Sequence, residues 1–240
     1  MLSGKKIIQF VGPPCSGKTA ISKALFDKFK SKNIDVFYFD RKPINFLDYS
    51  KFRDRILISI LFASVFFYSL CYLKSIVKIG FKNNLIWIRR ICMEWENSII
   101  CRRFLISISN KYEIIIADHC LESMYLFEVA DPRNVVGLKL LGIVIFFMKY
   151  LPLIKITNTF FTYTTSNILK DRLKYKNKIV RFGLSDLEKD IFFNSSIDLL
   201  NFIRINLPMP YFSKKYEFID TSFRSSQENS EYIYNKIMLS

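Results

Sequence analysis

Glycine, proline and histidine are scarce in this sequence: seven, seven and one in 240 residues. So few chain breakers, with half of the residues hydrophobic, exclude a disordered or low-complexity chain. The length suits one domain with an ample core. The lone histidine, with five cysteines at 15, 71, 92, 101 and 120 that form no C-x-x-C pair, excludes the usual Cys/His zinc arrangements. Scattered cysteines of odd number with apolar flanks fit reduced thiols in a cytosolic protein. Acidic residues are also few, 21 against 36 Lys and Arg, and the net charge of +15 is spread along the chain. That excess suits an anionic ligand, an anionic membrane surface or nucleic acid, or reflects coding bias; bulk charge does not choose among them. Met1 to Gly4 runs directly into an apolar strand pattern, so no secretory leader is expected.

What is present is concentrated near the start, in "KKIIQFVGPPCSGKTAISKALF", residues 5–26. Ile7 to Val11 is apolar apart from Gln9, as a strand covered on both faces requires. Gly12, Pro13, Pro14, Cys15, Ser16, Gly17, Lys18 and Thr19 then complete G-x-x-x-x-G-K-T, followed by Ala20 and by Ile21, Ala24, Leu25 and Phe29 at helical spacing. Strand, loop and helix are the context in which this motif cradles phosphate. Successive amides wrap the anion and the helix N-terminus adds its positive end. Gly12 and Gly17 allow backbone geometry that a Cβ would obstruct, Lys18 is placed to reach the β- and γ-phosphates, and the Thr19 hydroxyl takes a Mg²⁺ position. A nucleoside triphosphate is therefore expected, but GTPases, ATPases and small-molecule kinases share the loop.

Further strands are expected at 34–40 ("IDVFYFD"), at 111–118 with "EIIIA" and Asp118 at its tip, at 157–163 ("TNTFFTY") and at 216–220 ("YEFID"). Interleaved with helical patterns, the last carrying Ile233 and Ile237, they predict a mostly parallel five-stranded α/β sheet with helices on both faces. Asp40 and Arg41 fall in the loop after the second strand, either facing an acceptor or as a solvated strand end. Asp118, a carboxylate at a strand tip, suits the organisation of Mg²⁺ near Thr19; His119 beside it is a substrate contact or a half-buried structural histidine. Ser166 is expected to cap a helix with Ile168, Leu169 and Leu173 on its apolar face. Lys170, Arg172, Lys174, Lys176, Lys178 and Arg181 follow, as a cationic lid that closes on transferring phosphate or as a basic surface helix.

Two apolar blocks need placing, "ILISILFASVFFYSLCYL" at 56–73 and "LLGIVIFFM" at 140–148. The first is long enough to span a bilayer. Spanning would put the strand that ends at Asp118 on the opposite side of the membrane from the phosphate loop. Core helices are therefore expected, with docking on a membrane surface next and spanning last. Between the blocks, Trp87, Ile91, Trp95 and Ile99 recur every four residues as a buried helical face, with Arg89, Arg90, Arg102 and Arg103 around it.

In this order the pieces resemble the P-loop nucleoside and nucleotide kinases, the thymidylate-kinase-like branch in particular, over most of the chain. The resemblance rests on the loop at 12–19, on "IIIADHCLES" with Asp118, His119, Cys120 and Ser123, on "FFTYTTSNILKDRLKYKNK" with Arg172 at the recurrent lid arginine, and on "EFIDTSFRSSQENSEYIYNKI". Near the last of these the family holds adenine. Three positions depart from the branch: Pro14 stands where an Asp faces the acceptor sugar, His119 replaces an Arg, and Arg-Glu-Pro is reduced to Arg41-Lys42-Pro43. The insert at 56–81 resembles kinase-like proteins of bacterial surface-polysaccharide clusters.

The resemblance implies one P-loop kinase-like domain over 1–240, of the three-layer P-loop NTPase fold, with an apolar helical insert at 50–105 over the substrate side and a basic lid at 164–182. It implies an ATP- and Mg²⁺-dependent phosphotransferase. Catalysis would fall to Lys18, Asp118 and Arg172; ATP to residues Gly12 to Ala20 with Arg172; metal to Thr19 and Asp118. Asp40, Arg41, His119 and Ser123 would meet a small anionic or hydroxyl-bearing acceptor, a nucleotide or glycan-pathway intermediate. Lys176 and Arg181 would belong to the lid. The rival reading is a catalytically weak ATP-binding module, peripheral at the inner membrane surface, that regulates a partner. A homodimer is compatible with either. The lack of helicase-type motifs argues against a nucleic-acid ATPase.

Overall fold

The computed structural model describes residues 6–40, 52–70, 81–118, 154, 156–174, 185–206 and 215–239. In chain order the elements are β1 (Lys6–Val11), α1 (Lys18–Ser31), β2 (Val36–Phe39), α2 (Phe52–Leu70), α3 (Phe81–Ile108), β3 (Ile114–Ala117), β4 (Asn158–Tyr163), α4 (Ser166–Lys174), α5 (Asp186–Asn206), β5 (Lys215–Asp220) and α6 (Ser226–Met238). The chain divides into two compact units: Met1–Lys42 with Ser107–Cys120 and Lys155–Ser240, and Pro43–Ile106 with Leu121–Ile154.

The first unit carries a five-stranded sheet in the order β2-β3-β1-β4-β5, with every neighbouring pair parallel. Register pairs Ile8 with Ile116 and Phe10 with Phe160. Side chains alternate between faces along a strand. On one face Ile8, Phe10, Ile114, Ile116, Phe160 and Ile219 pack with Ile21, Leu25 and Phe29 of α1 and Ile233 and Ile237 of α6. Residues of opposite parity, Ile7, Gln9, Val11, Ile115, Ala117, Thr159 and Phe161, are buried as completely, so the second face is covered too. Burial on both faces is why β1 and β3 read as largely apolar runs. Leu169 of α4 meets Phe192 and Phe193 of α5, and Lys170 pairs with Asp190 across them.

Local sequence sets the element ends. Asn33 is left-handed at φ 55, its amide bonds Lys30 O, and the Ile34 amide reaches back to Phe29 O. This Schellman closure takes Ile34 into the end of α1, so β2 begins at Val36 rather than at 34. Likewise the Lys111 amide bonds Ile108 O, closing α3, and β3 begins only at Ile114. Ser166 does not cap α4 but is its first residue; the Thr165 carbonyl takes the first helical bond, from Leu169 N–H. Helix α5 opens with a reciprocal pair, the Ser185 amide to Glu188 Oε2 at 2.7 Å and the Glu188 amide to Ser185 Oγ at 3.3 Å. Ser225 and Glu228 repeat that capping box at α6.

In the second unit α2 covers most of the apolar block expected at 56–73. The expectation of core burial holds at Leu61 and fails at Ile56, Ile60 and Phe62, which are 44, 48 and 43 % exposed. Among the described residues no helix is long and apolar enough to cross a membrane. In α3, Ile99 is buried as the four-residue repeat predicts. The block at 140–148 lies outside the described residues.

Candidate active site

Strand β1 sits mid-sheet, with β3 on one side and β4 on the other. The chain leaves β1 through α1 toward β2, and returns from β3 to β4 on the far side. Ligands of open α/β sheets bind at such reversal points, beyond the C-terminal strand ends. The loop Gly12–Gly17 occupies that point.

Its shape follows from close contacts. A Cβ at Gly12 would lie 2.3 Å from Thr162 O, 2.4 Å from Thr162 Oγ1 and 2.7 Å from Ser16 Oγ, so only glycine fits against β4. The Ser16 amide closes a turn onto Pro13 O at 3.2 Å, and Ser16 Oγ and Thr162 Oγ1 are hydrogen-bonded at 2.8 Å. Cys15 and Gly17 both have positive φ, 65 and 89. Left-handed residues alternating with their neighbours turn successive amides toward one side and form an anion nest. Cys15 holds this unfavourable backbone while its side chain packs on the Leu169, Phe192 and Phe193 cluster. Helix α1 starts at Lys18 with Gly17 as N-cap, and no side chain caps its first amides. Amides at such a helix start suit an anion. Lys18 Nζ donates to Gly12 O at 2.8 Å and Pro13 O at 2.9 Å, which holds its ammonium over the loop. Thr19 is half-buried in the first turn and Ala20 is exposed.

Arg172 of α4 reaches the same loop. Its Nη1 donates to Thr221 Oγ1 at 3.0 Å and to Cys15 O at 3.4 Å, and its Nη2 to Thr221 O at 2.5 Å. Asp118 is fully buried, and its amide extends the β3–β2 ladder to Phe39 O at 3.3 Å. By parity it shares the α1 face with Ile114 and Ile116. Tyr38 adjoins it: the Tyr38 hydroxyl is 3.1 Å from Ser22 Oγ, which in turn donates to Thr19 O at 3.2 Å. Burial, with the negative charges of Asp118 and Asp40, pushes the Tyr38 phenol well above its ordinary value, opposed by the Ser22 hydrogen bond. It stays neutral and can donate. Asp40 is exposed just after β2. Arg41, His119, Ser123, Lys176 and Arg181 lie outside the described residues.

No cluster of three or more His, Cys, Asp or Glu occurs among the described residues. A Mg²⁺ ion needs none, because it keeps several waters and phosphate oxygens and takes one or two protein oxygens. One hydroxyl, Thr19, and one buried carboxylate, Asp118, on the α1 side of the sheet fit that donor set.

No protein-family model matches the chain, and no curated protein matches it. Solved structures do. Deoxyadenosine kinase from M. mycoides with bound dATP is similar over 97 % of this chain and 99 % of that one, at 15 % identity and a TM-score of 0.56. The same enzyme with products dCMP and a flexible dCDP covers 98 % and 100 %, at 14 % identity and 0.54. With bound dCTP it covers 98 % and 100 %, at 13 % and 0.50.

The chain has a P-loop kinase fold. Its five-stranded parallel sheet with helices is consistent with the fold of these kinases, and at such identity the likeness is one of fold.

Sequence reasoning missed Thr221, Thr162, Tyr38 and Ser22. Thr221 and Thr162 meet residues far along the chain, both lying against Ser16 at separations of 205 and 146, while Ser22 and Tyr38 meet across 16. One short polar residue in a strand end carries no signal of that. Helix α5 was also unassigned, although S-x-x-E at Ser185–Glu188 before an apolar run is a readable start signal.

Proposed function

We propose that this protein is an ATP- and Mg²⁺-dependent phosphotransferase of nucleoside-kinase type, with a nucleoside, nucleotide or other small hydroxyl-bearing acceptor. The observation that carries the reading is the loop at Gly12–Gly17: two left-handed residues, an uncapped helix start and the Lys18 ammonium converge at the sheet's reversal point. The likeness to nucleoside kinases over nearly the whole chain supports it.

In this reading the loop amides and Lys18 bind the β- and γ-phosphates. The acceptor oxygen attacks the γ-phosphorus, the bond to the β–γ bridging oxygen breaks, and ADP leaves. Asp40 or Asp118, just past the tips of β2 and β3, orients the acceptor hydroxyl, and the hydroxyl proton passes to Asp40, since Asp118 is taken as a metal ligand. Arg172 offsets charge growing on the transferring oxygens, and positioning with electrostatics supplies most of the rate. Thr19 and Asp118 would hold Mg²⁺, which would supply neutralisation of part of the phosphate charge. The base of ATP is assigned beside the loop after β5, where a cavity of about 410 Å³ is lined by Tyr163, Asp220, Phe223 and Arg224 among others. Arg41, His119 and Ser123 are assigned to the acceptor side, and Lys176 and Arg181 to the lid. The thymidylate-kinase-like motifs and the insert's likeness to polysaccharide-cluster proteins make a nucleoside monophosphate and a glycan intermediate the first acceptors to try.

The test is ADP release from Mg·ATP in the presence of a panel of nucleosides, nucleotides and sugars, with Lys18→Ala as control. Acceptor-dependent release abolished by that change supports the kinase. Tight ATP binding with no transfer to any acceptor supports the second reading, an ATP-binding module at a membrane surface, which the exposed Ile56, Ile60 and Phe62 and the charge of +15 favour.

A further inference from the structure

Thr221 is the first residue after β5 and is 3 % exposed. Its amide bonds Tyr163 O at 2.9 Å, carrying the β4–β5 ladder one step past the strand. Its hydroxyl lies 3.0 Å from Ser16 O in the phosphate loop and 3.1 Å from Tyr163 O at the end of β4. The same oxygen accepts from Arg172 Nη1, and the Thr221 carbonyl accepts from Arg172 Nη2. The left-handed Gly17 is beside both: a Cβ there would lie 3.7 Å from Thr221 Cβ and Cγ2 and 3.8 Å from Arg172 Nη1. One side chain therefore ties β4, the loop and the α4 arginine to the rim of the sheet.

We propose that Thr221 is a positioning residue for polyphosphate binding, holding the Arg172 guanidinium and the Ser16 segment of the loop in one fixed arrangement. The proposal rests on the phosphate-site reading above. A hydroxyl has one proton and two lone pairs, so it can donate to the loop carbonyl while accepting from the arginine. Valine has the same shape and does neither. The bond to a guanidinium is charge-assisted, and the fork of Arg172 is fixed twice, at the hydroxyl and at the carbonyl. Arg172 thus takes its position from the backbone of β5 rather than from its own flexible stem. A polyphosphate then meets a preset cation and spends none of its binding energy ordering it.

The experiment uses the full chain and a fluorescent ATP analogue with Mg²⁺, with dissociation constants and melting temperatures for wild type, Thr221→Ser, Thr221→Val, Arg172→Ala and the double variant Thr221→Val/Arg172→Ala. Loss of one charge-assisted bond predicts binding weakened about tenfold in Thr221→Val, and within about twofold of wild type in Thr221→Ser. The double variant should bind no more weakly than Arg172→Ala, since residues that act through each other are non-additive. Wild-type affinity in Thr221→Val overturns the proposal, as does full additivity in the double variant, or weakening that follows melting temperature instead of the hydroxyl. If the valine variant does not fold, Thr221→Ala carries the same comparison. A wild type that binds no Mg·ATP removes the phosphate-site reading and this inference with it; binding retained in both wild type and Thr221→Val removes this inference alone.

Discussion

Adding one methyl group to Gly12 tests how the loop is built. The new Cβ would sit 2.3 Å from the backbone oxygen of Thr162, where carbon and oxygen need at least 3.0 Å and ordinarily more. That carbonyl cannot yield, because Thr162 is inside β4 and in register with Ile219 of β5. The loop must move instead, by about 1 Å, and the 2.8 Å bond between Ser16 and Thr162 opens with it. A displacement of about 1 Å at a positioning site costs roughly a hundredfold, or about 2.7 kcal/mol. Overpacking a buried site costs about 1–3 kcal/mol of stability, so melting should fall by several degrees. Gly17→Ala is the contrasting case. Its Cβ has ordinary contacts at 3.7 Å, but φ of 89 is a left-handed conformation costing a side chain about 1–2 kcal/mol. The assay is titration of a fluorescent ATP analogue against both variants, with thermal melts alongside. Gly12→Ala should bind far more weakly than Gly17→Ala. Wild-type affinity in Gly12→Ala would refute the claim that this loop is pressed on β4 to shape an anion site.

Lys18→Ala should lower phosphoryl transfer by orders of magnitude, because it removes the ammonium that the Gly12 and Pro13 carbonyls hold over the loop; near-normal turnover would remove its assigned role. Phe10→Ala opens a cavity where Phe10 is fully buried with its ring 5.7 Å from that of Phe160, and should cost about 3–5 kcal/mol by denaturant titration. Ser225→Ala should cost about 1 kcal/mol by removing the cap of α6. The same cap sets a pH dependence. Hydrogen bonds from the Ser225 backbone and then its side chain hold the Glu228 carboxyl below its ordinary value of 4.5, so this stabilisation is complete above that pH and is lost as pH falls through the lowered value. Only the side-chain share of that effect is lost in Ser225→Ala, so the gap between the two melts should narrow as pH falls through the lowered Glu228 value without closing, because the Glu228 amide still bonds Ser225 Oγ in the wild type; a gap that does not narrow would refute this account.

The phosphate loop was legible as a motif, and β1 and β3 most plainly among the strands, because parallel strands buried on both faces are written as largely apolar runs such as "IIQFV" and "EIIIA". Asp118 was legible as an acid at the tip of such a run, and the strand order sets that tip beside the loop. The boundaries were not. Ile34 looks like strand, yet the helix before it needs an apolar residue to pack on Phe29 after a left-handed Asn33, and that requirement wins. Nor was the exposure of Ile56, Ile60 and Phe62, since an apolar run reports composition and not what lies against it. Thr221 was illegible for a different reason. Its importance is a set of distances to Ser16, Tyr163 and Arg172, which only the folded sheet brings within reach.

Scarcity of glycine also explains how this loop is made. Phosphate loops need close approach and left-handed backbone, which glycine supplies at the cost of chain entropy in the unfolded state. Here glycine appears only at 12, where contact with β4 excludes a Cβ, and at 17, where φ is 89. Between them Pro13 and Pro14 fix φ near −65° and narrow the unfolded ensemble. They also remove two amides, so the donors of the nest must come from Cys15 onward. That is where the backbone turns left-handed and the uncapped start of α1 follows. Cys15 adopts that conformation without being glycine because its side chain is packed on Leu169, Phe192 and Phe193. Arg172 and Leu169 lie on the same helix, so the packing that sets the loop's backbone also brings the arginine to it. Loop shape and cation placement are thus coupled through α4, and a change that loosens α4 from α5 must disturb both together.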